Sequence, residues 1–433
     1  MTLSMLQEGK VMTSTLGISY RILKLLGSGG QGEVYEVTAG NKHYALKWYH
    51  PHMATPKQEE TLVRLVHNGK PDERFLWPMD FIKTSETFGY IMALRPNVYK
   101  SIVDLMKRKA EPTFKALCRA GYELADCFQK LHSLGYSYCD ISFGNAFIRP
   151  DTGEVLVCDN DNVVINGASA DSVQGTLGFM APEIVRGEKG PTTETDLFSL
   201  AVLLFYMFML HHPLEGATEA SIKCLDIRAK EVLYGQKPVF IWDPTDLSNR
   251  PIAGYQDNAI IYWRLYPDFI KDLFMVAFTE GIHTPSKRIV ENQWKRGFKR
   301  LEDSIVHCLH CGAENFYEDK SHLGVSSICW CCNQIVEAGA VLLLGQRAIV
   351  LNPETIIYAH HFHQDFDFDT EIARVIRHPQ DPNKWGVQNR STKSWQVTTS
   401  EGSSRVVAPG KSMTLLTGTV IDFGISNTLG FIK

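Results

Sequence analysis

Alternation of apolar and polar positions marks the first hundred residues. Residues 20–37 alternate and are interrupted by glycines, which predicts strand, tight turn, strand. His43-Tyr44-Ala45-Leu46-Lys47-Trp48-Tyr49 predicts a third strand, with one lysine among apolar neighbours. Residues 56–66 have the period of a short amphipathic helix. Counted from Glu59, apolar residues recur at the helical offsets (Leu62, Val63, Val66), whereas the same offsets from Glu60 reach Val63, Arg64 and His67. The pattern therefore predicts Glu59 on the buried face and Glu60 in solvent. A long helix is predicted over 111–134, stopped by Gly135. The apolar run 198–210 is 13 residues long and broken by Ser199. A bilayer span needs ~20, so a buried helix is predicted. Beyond Ala338 the texture changes to short alternating runs separated by Gly, Pro and Asn: 340–344, 347–351, 355–358, 394–398, 405–407, 412–416 and 420–424. Regularly spaced short strands predict a β-sandwich.

Chemistry is carried by a few polar residues set into this frame. Gly27-Ser28-Gly29-Gly30-Gln31-Gly32-Glu33-Val34 is dense enough in glycine to lie flat over a triphosphate, since Gly27, Gly29 and Gly32 lack the Cβ atoms that hold backbone away from phosphate oxygens. A dinucleotide-binding unit would continue into a helix; here 33–37 continues as a strand. Lys47 follows fifteen residues after Gly32. Asp140 and Asn145 lie five residues apart, bracketed by apolar residues, as in a loop whose polar groups converge on one point. Asp159 closes the strand-like Val155-Leu156-Val157-Cys158, where a metal ligand belongs. Phosphoryl transfer from ATP requires a cation for the α- and β-phosphates, oxygens for Mg²⁺ and a carboxylate aimed at the attacking hydroxyl. Lys47 oriented by Glu59 supplies the first, Asn145 and Asp159 the second, and Asp140 the third.

These motifs resemble those of the eukaryotic-type Ser/Thr protein kinases over residues 15–300. The glycine loop resembles the nucleotide loop, Ala45-Leu46-Lys47 the strand-lysine motif, Asp140 with Asn145 the catalytic loop, and Asp159 the magnesium aspartate. Gly175-Thr176-Leu177-Gly178-Phe179-Met180-Ala181-Pro182-Glu183 resembles the end of the activation segment, and Asp196-Leu197-Phe198-Ser199-Leu200 the start of the central buried helix. Arg288 resembles the arginine that pairs with the glutamate after Ala-Pro. The resemblance implies a bilobal α+β fold over 1–303, with a small lobe at 15–95 and a large lobe at 96–303. It implies a nucleotide site that includes Gly27, Gly29, Gly32, Val34, Ala45, Lys47, Asn145 and Asp159, and a protein substrate carrying Ser or Thr. Three departures stand out. Tyr138-Cys139 replaces His-Arg, which removes the usual partner of a phosphorylated activation loop. Ser142 replaces a lysine near the γ-phosphate. Asp159-Asn160-Asp161 replaces Asp-Phe-Gly, with Tyr138 the candidate to supply the missing bulk. An ATP-binding pseudokinase scaffold is the alternative they motivate.

Five of the ten cysteines fall within 25 residues and mark a module at 304–338. Cys308-Leu309-His310-Cys311 and Cys329-Trp330-Cys331-Cys332 form two knuckles with 17 residues between them, supplying Cys308, Cys311, Cys329 and Cys332 as four thiolates for a structural tetrahedral Zn²⁺ in a zinc ribbon. Cys331 and His310 are left as spare donors, and Gly312 and Asn333 provide the tight turns. Residues 1–12 lack the apolar core of a signal peptide, which predicts a cytoplasmic, reducing location. A formal net charge of −4 gives no field favouring nucleic acid or an anionic membrane.

Residues 339–433 close in a stretch, 389–424, that resembles the last strands of a forkhead-associated (FHA) domain, a phosphothreonine-reading fold. The Gly-Arg and Ser-x-x-His pairs with which that family grips phosphate are not evident, so a phosphopeptide-binding adaptor and a docking domain both stay open. His360, His361 and His363, followed by Asp365, Asp367, Asp369 and Glu371, are read as solvated loop residues rather than a metal site. The whole arrangement resembles bacterial kinases of tellurite-resistance-type systems. That resemblance implies von Willebrand A proteins and metal-dependent protein phosphatases as partners.

Overall fold

Antiparallel pairing of the alternating segments builds the first sheet. In the computed structural model, which describes residues 4–167, 175–318, 327–353, 355–363, 367–378 and 380–433, strands β1 (Val11–Thr13), β2 (Ser19–Ser28), β3 (Gly32–Ala39), β4 (Lys42–Tyr49), β5 (Asp80–Lys83) and β6 (Phe88–Ala93) form a six-stranded sheet in the order β1-β2-β3-β4-β6-β5. Its register places Lys47 of β4 between Val34 of β3 and Tyr90 of β6. Gly32 is demanded by this pairing, since a Cβ there would stand 2.1 Å from the Trp48 carbonyl oxygen. At Gly27, near the end of β2 and opposite Val34, a Cβ would meet nothing within 4 Å.

Helix α1 (Pro56–Asn68) starts at Thr55, whose hydroxyl accepts from the Gln58 N–H at 3.2 Å, and ends at Gly69, whose φ of 73° suits a residue without a Cβ. Its buried residues are Leu62 and Leu65, while Val63 is 49 % exposed. The inward position one turn earlier is therefore Gln58, which lies four and seven residues before the two leucines.

The second lobe is helical. The helix Phe114–Ser133 is capped by Thr113 and followed by Gly135 at φ 79°. The helix Thr193–Met209 opens with a Thr192/Thr195 capping box and is buried over nearly its whole length, which accounts for the apolar run. No helix among the described residues is long and apolar enough to cross a membrane. Between these helices, strands Ala146–Ile148 and Val155–Val157 pair antiparallel, with Ala146 opposite Val157. The residues just outside the pair, Asn145 and Cys158, are joined by a backbone hydrogen bond of 2.9 Å, so Asn145 and Asp159 emerge at the same end.

The chain forms two compact units, 1–264 with 268–298, and 265–267 with 299–433. The second unit contains a short hairpin, Ile305–His307 with Glu314–Phe316. It also contains a sandwich of two antiparallel sheets. The six-stranded sheet runs Arg347–Val350, Val341–Leu344, Leu429–Ile432, Val420–Asp422, Trp395–Thr398, Ser404–Val407. The four-stranded sheet runs Ile356–Tyr358, Glu371–His378, Asp381–Asn389, Ser412–Thr414. Both sheets feed one core, with Ile349, Trp395, Val397 and Ile421 from the first and Val375, Val387 and Met413 from the second. The hairpin is packed on the sandwich through Val306, Val341 and Val350, and the Asn352 amide donates to the Ile305 carbonyl at 2.7 Å. His360 and His361 are buried, not solvated. His361 pairs through Nε2 with Asp303 at 3.0 Å. Asp367 accepts from the backbone of Asp369 and Thr370, and Asp365 lies outside the described residues.

Candidate active site

A cavity of about 860 Å³ opens between the two lobes, lined among others by Gly27, Val34, Ala45, Met92, Phe147 and Asp159. That size suits a nucleotide, since small-molecule sites usually enclose ~300–1,000 Å³. Gly29, Gly32, Lys47 and Asn145 are not among its lining residues. Gly32 serves the β3–β4 pairing instead.

Lys47 is 4 % exposed, and its ammonium donates to both oxygens of Asp161 (2.8 and 3.1 Å), to Gln31 Oε1 (2.9 Å) and to Asp159 Oδ1 (3.5 Å). Burial would favour the neutral amine, but the carboxylates of Asp161 and Asp159 outweigh it and hold the Lys47 pKa above its ordinary value. Burial likewise works against the Asp161 carboxylate, and Lys47 with the Tyr49 hydroxyl lowers its pKa in spite of that. Both groups are charged. Asp161 stands on a turn, Asn160–Asn162, and receives two further donors, the hydroxyls of Tyr49 and of Tyr90 (3.2 Å).

The structure corrects the expectation for Glu59. That carboxylate pairs with Lys83, not Lys47. Burial of Leu62 and Leu65 rotates α1 by one residue from the register that Val63 and Val66 suggest. The inward side chain is Gln58, whose amide donates to the Asp161 carbonyl at 3.0 Å and to the Tyr49 hydroxyl at 3.3 Å.

Asp159 is left-handed (φ 54°, ψ 44°), and its side chain keeps 40 % exposure at the cavity wall. Asn145 is 7 % exposed and donates from Nδ2 to the Asp140 carbonyl at 2.9 Å and to its Oδ2 at 3.1 Å, bonds in which its Oδ1, an acceptor, takes no part. Asp140 Oδ1 accepts from the Thr176 hydroxyl at 2.8 Å. Burial raises the Asp140 pKa against the hydrogen bonds from Thr176 and Asn145, which favours a carboxylate able to take a proton.

The loop is gripped from below. Asp196, on the buried helix, accepts from the backbone N–H groups of Tyr138 (2.6 Å) and Cys139 (3.0 Å) and pairs with His132 Nε2 at 3.1 Å. The Tyr138 ring is fully buried, 5.4 Å from Phe128, and its hydroxyl donates to the Cys158 carbonyl. Asn160, buried where the resemblance expects phenylalanine, donates to the Val157 carbonyl at 3.2 Å. Arg288 and Glu183 meet in a buried two-pronged pair, both contacts 2.8 Å.

The profile of the protein kinase domain matches residues 20–252, more than half of the chain. The chain belongs to the protein kinase domain family. Among curated proteins this kinase is 24 % identical over 200 residues to a probable serine/threonine-protein kinase CCRP1 of Zea mays, covering 44 % of this chain and 32 % of that one. It is also 24 % identical over 227 residues to ribosomal protein S6 kinase alpha-4 of Homo sapiens (46 % and 27 % covered). To ribosomal protein S6 kinase alpha-2 of Homo sapiens it is 32 % identical over 111 residues (25 % and 15 % covered). The kinase thus spans a third or less of the length of these relatives.

Asp161, Gln31, Gln58 and Asp196 are the functional neighbours that sequence reasoning did not assign. An acid two residues beyond Asp159, where the family resemblance expects glycine, was the available signal for the first.

In the second unit the four expected cysteines come together. Cys308 and Cys332 are 3.6 Å apart between sulfurs, as are Cys311 and Cys329, and all four sulfurs lie within 4.8 Å of one another. A tetrahedral Zn²⁺ held at about 2.3 Å by each sulfur needs separations of roughly 3.8 Å, so the residues fit the ion. The two knuckles repeat one geometry. Gly312 (φ 75°) donates to the Cys308 carbonyl at 2.8 Å, and Asn333 (φ 58°) to the Cys329 carbonyl at 2.9 Å. Burial opposes the Cys329 thiolate, but the N–H groups of Cys332 and Cys331 and the Asn315 amide outweigh it and bring the pKa down to about 6.

Proposed function

We propose that the chain transfers the γ-phosphoryl group of ATP to Ser or Thr of protein substrates. The observation that carries this reading is a set of contacts beside the cavity: Asp159 lines it and accepts from Lys47 at 3.5 Å, and Asp140 accepts from Asn145 at 3.1 Å and from Thr176 at 2.8 Å. Lys47 would hold the α- and β-phosphates. Asn145 Oδ1 and the Asp159 carboxylate would hold Mg²⁺, which when bound neutralises phosphate charge. Asp140 would accept or orient the substrate hydroxyl proton, poised by its raised pKa. Incubation of the full chain with labelled ATP, Mg²⁺ and a Ser/Thr peptide library tests this, alongside Asp140→Ala. Equal incorporation by both proteins would end the catalytic reading.

A second reading, the pseudokinase scaffold, is favoured by Gln31, whose side chain already occupies Lys47 and whose amide donates to Asn162 at 3.3 Å. It predicts Mg·ATP binding without transfer.

In the same proposal, residues 304–338 form a zinc ribbon on Cys308, Cys311, Cys329 and Cys332, and 339–433 an FHA-like sandwich that docks partners. The protein would then act in a bacterial cytoplasmic circuit with a von Willebrand A protein and a metal-dependent phosphatase. The fit of the four sulfurs and the two-sheet core supports the first two elements.

A further inference from the structure

We infer that Asp161 is the positioning residue of Lys47, occupying the role that a carboxylate on α1 was expected to fill. The inference rests on the kinase reading above and assigns it a residue that the family resemblance does not.

A buried ammonium needs both neutralisation and a fixed direction. Here α1 provides neither, because its inward side chain is the neutral Gln58 and its carboxylate at Glu59 is engaged by Lys83. Asp161 provides both. Its side chain has no solvent exposure, and three donors (Lys47, Tyr49 and Tyr90) fix its two oxygens. Gln58 adds a hydrogen bond to its carbonyl, so the helix braces the turn instead of touching the lysine. The same turn begins at Asp159, so the anchor of the lysine and the proposed metal ligand lie two residues apart on one buried piece of backbone. A purely structural ion pair would have no reason to be coupled to nucleotide binding, and that is the difference to measure.

The experiment is a cycle of Asp161→Asn, Lys47→Met and the double variant in the full chain, read in Mg·ATP affinity by calorimetry and in kcat/KM for ATP. Asp161→Asn should weaken both by roughly tenfold or more, and should add less than about twofold on the Lys47→Met background, because contacting residues that act together are non-additive. Asp161→Glu keeps a carboxylate on the same turn and should retain more of both quantities than Asp161→Asn. That variant also serves if Asp161→Asn does not fold. Glu59→Gln should change neither quantity by more than about twofold. Additive losses, an unaffected Asp161→Asn, or an Asp161→Glu no better than Asp161→Asn would overturn the assignment. A wild-type chain that binds Mg·ATP without transferring phosphate would end the kinase reading alone, since the cycle in affinity still decides on Asp161. A chain that does not bind Mg·ATP would overturn both.

Discussion

His132 stands in the last turn of the helix Phe114–Ser133 with a carboxylate on each ring nitrogen, Glu291 on Nδ1 at 2.5 Å and Asp196 on Nε2 at 3.1 Å. Two ionised carboxylates only accept, so both nitrogens must carry protons and the ring is an imidazolium. Burial works against that charge, but Asp196 and Glu291 outweigh it and raise the pKa from 6.5 to about 9. A group whose folded pKa is raised contributes stability in full below its unfolded value, here 6.5, and loses it as pH climbs through about 9. At about 1.36 kcal/mol per decade the contribution is roughly 3 kcal/mol. The assay is urea unfolding of wild type and His132→Gln from pH 6 to pH 9.5, taking the difference between the two so that all other titrating groups cancel. Near pH 6 the variant should be less stable by ~3–5 kcal/mol, because two buried carboxylates lose their counter-charge. The difference should shrink by roughly 3 kcal/mol at the alkaline end. Since Asp196 also grips the backbone of the Asp140 loop, the proposed phosphoryl transfer should decline over the same interval in wild type. Stability curves that run parallel from end to end would refute the reasoning.

Two further outcomes are expected. Arg288→Ala should destabilise the first unit by ~3–5 kcal/mol in thermal unfolding, since Glu183 would be left buried and unpaired. The Glu183 pKa is lowered by Arg288 against burial, so wild type should lose this stability as pH falls through the carboxylate range, and the variant should not. Zinc withdrawal by a strong chelator should expose four additional reactive thiols and remove hydrogen-exchange protection from the hairpin Ile305–His307 with Glu314–Phe316. Strands Val341–Leu344 and Trp395–Thr398, held by their own apolar core, should keep theirs. Unchanged thiol reactivity would remove the metal.

Lys47 was legible as a strand residue and Asp159 as the residue just past a strand end; that they meet was legible only through the family resemblance, because they stand on different sheets. The direction of α1 was not. Val63 and Leu62 score alike in an apolar count, and only the packed sheet shows that Leu62 and Leu65 face inward while Val63 faces out. The error of one residue moved the assignment from Gln58 to Glu59. In the sandwich, short strands such as Trp395–Thr398 were readable from alternation. The paired strands Glu371–His378 and Asp381–Asn389 were not, because Arg374, Arg377, Asn383 and Lys384 interrupt the apolar signal. His360 and His361 were misread as solvated for a similar reason: polarity alone does not report that Asp303 waits, far away in sequence, to receive one of them.

Asp196 holds Tyr138 and Cys139 through their main-chain N–H groups. Peptide groups are the same in every residue, so this grip is indifferent to which side chains hang there. The hydrogen bonds that shape the segment presenting Asp140 are therefore kept with Tyr138-Cys139 standing where the resemblance expects His-Arg. Mutation of the anchor itself has no such tolerance, because one acid serves both peptides at once.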